Sequence, residues 1–202
     1  MTLSGGSMGS VEQQLAQITQ RLDRLESIEA IRGIVTKYAI TCDEHDLPGL
    51  MDLFTDDACF DAPNGAMVAR GKLAIEEMFV NTFKVRGPAF HWTHDVSVTI
   101  DPQNPNKATG LVLSHAETTP NGTVSIAAMR YADHYLRGAD NIWRFTERVI
   151  SFLYYVPAAE YSQGLNQTNR VHIGGQAIAA DYPEKLGVWD EFIDQHGPLN
   201  LG

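Results

Sequence analysis

From Phe90 to Tyr155 the sequence keeps a two-residue period through four long stretches, roughly 90–100, 107–118, 123–137 and 142–155. That pattern constrains the fold more than any other feature, because successive strand side chains point to opposite faces of a sheet. The gaps between the stretches are short and turn-rich: Asp101–Asn106, Pro120-Asn121-Gly122 and Gly138–Asn141. Gaps of this length join antiparallel neighbours, so the stretches predict a meander.

Helical spacing precedes the meander. Ser10-Val11-Glu12-Gln13 resembles a capping box. Val11, Leu15, Ile18, Leu22 and Leu25 then recur at four- and three-residue steps, and Ile28, Ile31, Ile34 and Tyr38 continue the stripe. This predicts one long helix, or two joined near Ser27, ending around Asp43. Its polar first half fits either a helix on its own core or a short coiled-coil seam against another subunit. Pro48 opens a second helix through Phe54, which Thr55-Asp56-Asp57 ends. Short strands are expected at 58–62 and 67–69 around Pro63-Asn64-Gly65, and a helix from Gly71 to Phe83. Helices first and a curled meander afterwards is the α+β pattern. Beyond Pro157 the periodicity fades, apart from a helix between Pro183 and His196. The expected organisation is a disordered lead or expression scar over 1–10, one domain over 11–157, and an extension of that domain over 158–202.

The composition narrows the partners. With 44% hydrophobic and 20% charged residues in 202, the chain suits one globular domain. A net charge of −10, with no Lys/Arg cluster, argues against nucleic acid and anionic membranes. No apolar run approaches the roughly 20 residues of a membrane span, and the first ten residues do not resemble a signal peptide. Cys42 and Cys59 are the only cysteines, which fits a reducing, cytoplasmic compartment. There is no H-E-x-x-H, paired-cysteine or H-x-H motif, no Gly-rich phosphate loop and no G-x-S-x-G elbow. These absences leave metal-free, cofactor-independent acid–base chemistry as the expectation.

Asp43 closes the long helix and His91 opens the meander. A carboxylate can hold an imidazole in one tautomer while the other ring nitrogen takes a proton from a substrate. Asp43 could equally end a helix, and His91 could be a satisfied core histidine. Five residues on a helix is about 500°, so Tyr38 and Asp43 share a face only if the helix ends between them. His94, at an odd offset from His91, points to the opposite sheet face.

Ile28-Glu29-Ala30-Ile31, Tyr38, Asp43, Leu53-Phe54-Thr55-Asp56-Asp57-Ala58, His91 and Trp143-Arg144-Phe145 together resemble the SnoaL-like family of the nuclear transport factor 2-like superfamily. That superfamily includes polyketide cyclases, scytalone dehydratase, bile-acid dehydratase and hexachlorocyclohexane dehydrochlorinase. The resemblance spans roughly 28–156. It implies a cone of helices packed on a curved antiparallel sheet. It also implies a lyase of dehydratase type on a hydrophobic cyclic small molecule, with an isomerase or cyclase using the same base, or a non-catalytic structural subunit or binding module, as alternatives. His91 matches the catalytic base and Asp43 the carboxylate that bonds it. Tyr38 matches the dehydratase tyrosine and Arg148 the dehydrochlorinase arginine, so the two would hold a leaving group or enolate. The dehydratase's further acidic residue falls near Ala116 and its second arginine near Phe152, both departures. Met129, Tyr131 and Phe152 are expected in the pocket wall. His115 matches a second histidine of scytalone dehydratase, although a one-residue register change would send it outward. Arg148 could instead be a solvated strand charge or pair with Glu147 or Asp133. The resemblance further implies a homotrimer.

Overall fold

The computed structural model describes residues 6–198. Helix α1 runs unbroken from Gly6 to Glu44. There is no joint at Ser27, and Gly6–Ser10, set aside above as lead, are helical; residues 1–5 of that lead lie outside the described residues. Ile31, Val35, Tyr38 and Cys42 of α1 are all buried. Their spacing of four, three and four residues keeps them on one helix face, and that face lies against the sheet. Burying an isoleucine or valine such as Ile31 or Val35 contributes about 1.5–3 kcal/mol.

Helix α2, Leu47–Met51, is capped by Asp46, whose carboxylate accepts from the Gly49 amide at 3.0 Å. Strand β1 covers Phe54–Asp61 and β2 covers Ala69–Arg70, followed by α3 from Lys72 to Arg86. Strand β1 thus starts four residues earlier than the sequence suggests. The residues taken as a helix end are strand, because Phe54 pairs with Phe145 far along the chain.

The meander strands are β3 (Ala89–Ile100), β4 (Lys107–Thr118), β5 (Ser125–Arg137) and β6 (Trp143–Pro157). They are antiparallel in sequence order, as the short gaps require. The sheet order is β2-β1-β6-β5-β4-β3. The β1–β6 pairing is parallel, so the sheet is mixed rather than purely antiparallel. Register shifts between Thr93 and Val96, between Ala128 and Met129, and between His134 and Tyr135 interrupt the ladders. Such bulges bend strands and raise their twist, and they curl the sheet around α1 and α3.

The tail is knitted to β6. After the single turn α4 (Tyr161–Gly164), strand β7 (Val171–Ile173) pairs parallel to β6 and antiparallel to β8 (Gln176–Ile178). The Asp181 carboxylate accepts from the Phe152 amide at 2.9 Å. Arg170 donates to the Leu153 carbonyl and, through two nitrogens, to Glu184. The expected terminal helix is α5, Gly187–His196. No helix is long and apolar enough to cross a membrane among the described residues.

Candidate active site

The end of α1 and the start of β3 meet at the rim of a cavity of about 330 Å³. There the Asp43 Oδ1 lies 2.5 Å from the His91 Nδ1, and Oδ2 accepts the His91 backbone N–H at 2.8 Å. One carboxylate therefore fixes both the strand and the ring. With Asp43 ionised, Nδ1 carries the proton and Nε2 presents a lone pair. His91 lines the cavity, and no hydrogen bond is made by its Nε2 among the described residues. Tyr38 lines the same cavity although α1 does not end between it and Asp43. Tyr38 sits inside the cone while Asp43 sits at its rim, and His91 spans the angular gap between them.

Met129, Tyr131 and Phe152 all line the cavity, as do Ala116 and Tyr155. The Tyr131 hydroxyl donates to the Met129 sulfur at 3.1 Å, and the Phe152 and Tyr155 rings stack at 5.8 Å. Thr118 bonds the Tyr155 hydroxyl at 2.8 Å. Burial, and then the neighbouring Cys42 and Tyr131, push the Tyr38 hydroxyl well above its ordinary range, so it remains a donor. Burial likewise raises the Cys42 thiol to about 11.

Two expected site residues stand elsewhere. His115 points to the outer sheet face, where its Nδ1 meets His94 Nε2 at 2.8 Å. Ser114 and Ala116 on either side face inward, so strand alternation excludes His115 from the cavity. Arg148 is completely buried and does not line the cavity. Its Nε and Nη2 each donate at 2.8 Å to Asp133, which also accepts from the Tyr135 hydroxyl at 2.7 Å. Desolvation opposes the Arg148 charge, yet Asp133 outweighs it and holds the guanidinium well above its ordinary value. The guanidinium carbon lies 4.1 Å and 4.3 Å from the Tyr38 and Tyr131 ring centroids. Arg148 therefore backs the two tyrosines rather than reaching a ligand.

Other lining residues were not foreseen. Arg86 enters the cavity from the last turn of α3, and His172 and Ile173 from β7 cover it. Arg86 continues the buried stripe of Ile75 and Phe79, so an arginine at an apolar position was the available signal. The β7 strand is three residues long and left no periodicity to find. Among the described residues no three His, Cys, Asp or Glu side chains converge as metal ligands would.

A family model described as a SnoaL-like domain matches residues 23–149. The chain belongs to the SnoaL-like family. Its fold is of the nuclear transport factor 2-like type. A hexachlorocyclohexane dehydrochlorinase, LinA-type3 from Novosphingobium barchaimii, superposes with a TM-score of 0.61 at 20% identity, over 69% of this chain and 94% of that one. A candidate scytalone dehydratase from Novosphingobium aromaticivorans gives 0.59 at 20%, over 67% and 89%. A ketosteroid isomerase-like protein from Erwinia carotovora atroseptica gives 0.52 at 22%, over 63% and 96%. At these identities the likeness shows the fold. No curated protein matches the sequence. This SnoaL-like chain therefore spans nearly the whole of these relatives and carries additional residues of its own.

Proposed function

We propose that this SnoaL-like protein is a cofactor-independent lyase that eliminates a leaving group from a hydrophobic cyclic small molecule. The observation that carries this reading is the Asp43–His91 contact at 2.5 Å, with His91 facing an apolar cavity. His91 Nε2 removes a proton next to an activating group. Asp43 holds the tautomer and stabilises the imidazolium. Tyr38 donates its hydroxyl to the departing oxygen. A positioned base typically contributes about 10²–10⁴-fold. Arg148 acts as a positioning residue behind Tyr38 and Tyr131. Isomerisation and aldol-type cyclisation begin with the same proton abstraction and are the alternatives within this chemistry. A dyad facing a cavity favours an enzyme over a structural subunit, for which neither group would need a cavity.

The test is a screen of hydroxylated and carbonyl-bearing cyclic compounds for elimination, run with the wild type and with His91→Ala. Elimination lost in His91→Ala supports the reading. A turnover indifferent to His91 sinks it.

We also propose a homotrimer. Val11, Leu15, Ile18, Leu22 and Leu25 are each more than half exposed in the single chain. Their spacing is a heptad seam with Leu15 and Leu22 at a and Val11, Ile18 and Leu25 at d. Leucine at a with β-branched residues at d disfavours two strands.

A further inference from the structure

Three arginines are buried to a similar degree, Arg86, Arg148 and Arg170, and two of them are fully answered. Arg148 is bidentate on Asp133 and Arg170 is bidentate on Glu184. Arg86 forms no ion pair among the described residues, although it is only 9% exposed. Its Nη2 donates to the Cys42 carbonyl at 2.5 Å, and its Nε is buried with no partner. An uncompensated buried charge is costly, so a fold retains one where something else supplies the counter-charge.

A purely structural role accounts for part of this side chain. The Cys42 carbonyl lies in the last turn of α1, where cations are favourable. That contact occupies one nitrogen, and the guanidinium carbon lies 5.0 Å from the Phe83 ring centroid, but among the described residues the rest of the fork makes no hydrogen bond. The anchoring is firm: the Arg86 carbonyl accepts from both the amide and the hydroxyl of Thr119, at 3.1 and 3.2 Å. Next to it Gly87 has φ of 60°, and a Cβ there would meet the Thr119 hydroxyl at 2.5 Å. The guanidinium lines the same cavity as His91.

We propose that Arg86 is the anion-binding residue of the cavity, and that the ligand presents to it an oxygen that is negatively charged when bound or when it reacts. This inference rests on the proposed function for its chemistry, and the charges then close. Before reaction the Asp43 carboxylate stands at the rim, the Arg86 side chain lines the cavity, and the His91 Nε2 is free to accept a proton. When Nε2 takes the substrate's proton, the C–H electron pair moves onto the conjugated carbonyl oxygen. His91 becomes a cation beside Asp43, and the new oxyanion faces Arg86. Each charge then has a partner. An enolisable carbonyl compound fits this arrangement better than a substrate without an acidic oxygen.

The test uses 2-naphthol, whose phenolic oxygen imitates an enolate on a flat apolar body, and naphthalene, which lacks it. Both report binding by their own fluorescence in the full-length protein. The wild type is expected to bind 2-naphthol at least tenfold more tightly than naphthalene, with part of it bound as the naphtholate. Arg86→Met should abolish that preference and leave naphthalene affinity unchanged, the latter also showing that the cavity is intact. Arg86→Lys, which keeps the charge, should restore part of the preference. His91→Ala should keep it, so the binding result stands apart from turnover. Absence of 2-naphthol binding to the wild type, or a preference that survives Arg86→Met, overturns the inference even if His91-dependent elimination is found. A preference lost in Arg86→Met with no His91-dependent elimination upholds Arg86 and removes the lyase reading instead.

Discussion

Asp43 accepts two donors at once, the backbone N–H and the ring nitrogen of His91. That makes Asp43→Asn a sharp probe despite its shape. Asparagine has a single acceptor oxygen. If that oxygen keeps the backbone N–H, the amide NH₂ faces Nδ1 and drives the ring proton to Nε2, which removes the base. If it keeps the ring, the NH₂ faces a backbone donor. His91→Ala and Asp43→Asn are each expected to lower turnover by about 10²-fold or more, and the double variant should be little worse than the poorer single. Additive losses on an identified substrate would dissolve the dyad. Arg148 calls for a different readout. Arg148→Ala leaves Asp133 charged, buried and without its main partner, a change that costs about 3–5 kcal/mol. At about 2–4 °C per kcal/mol for a chain of this size, the melting temperature should fall by on the order of 10 °C. Replacing Asp133 by Ala in the same chain should recover part of the loss, since no stranded charge remains. An unchanged melting temperature for Arg148→Ala would show that the pair is not structural.

At the scale of elements, the tail roofs the cavity through β7, and its hold on β6 depends on Arg170. Hydrogen bonding from Arg170 keeps the Glu184 carboxyl below its ordinary value, against the opposing effect of burial. A carboxyl depressed in the folded state stabilises above its unfolded value and ceases to do so as pH falls through the folded one. Hydrogen exchange over 167–184 should therefore quicken as pH drops below the ordinary glutamate range, after correction for intrinsic rates. Glu184→Gln should bring the same loosening at neutral pH, and tail protection indifferent to both changes would remove the assignment. These tail contacts were not legible in the sequence, because three-residue strands and single-arginine brackets have no period. The meander was legible, since alternation over a dozen residues admits one face inward. The same alternation put His91 and His94 on opposite faces, and it also excludes His115 once β4 is in register. The first residues of β1, from Phe54, were hidden because they pair with β6 in parallel, a pairing that no turn announces. Arg148 stands away from the cavity for a similar reason: only the folded register sets Asp133 opposite it.

At the scale of the whole molecule, the question is what covers α1 from Val11 to Leu25. The helix is tied to the body where Arg137 bonds Asp23 at 2.6 and 3.2 Å. Ser27 is buried just beyond, and the apolar seam ends at Leu25, where the helix meets the domain. Between Val11 and that tie the helix presents apolar residues to water at heptad spacing. In a parallel bundle Arg21 at g faces Glu26 at e of the next helix, an opposite-charge pair; antiparallel packing would set Arg21 against Arg21. Charge thus selects the parallel arrangement, and leucines at a with Ile18 at d select more than two strands. Sedimentation equilibrium at micromolar concentration should give a trimer. Ile18→Asp, which places a charge inside the seam, should shift it toward monomer while leaving far-UV circular dichroism of the domain intact. Glu26→Arg should weaken the trimer, and Arg21→Glu with Glu26→Arg should restore it, because the swap reinstates opposite charges in the parallel register alone. A chain that sediments as a monomer before any substitution would leave the seam unpaired and refute the assembly.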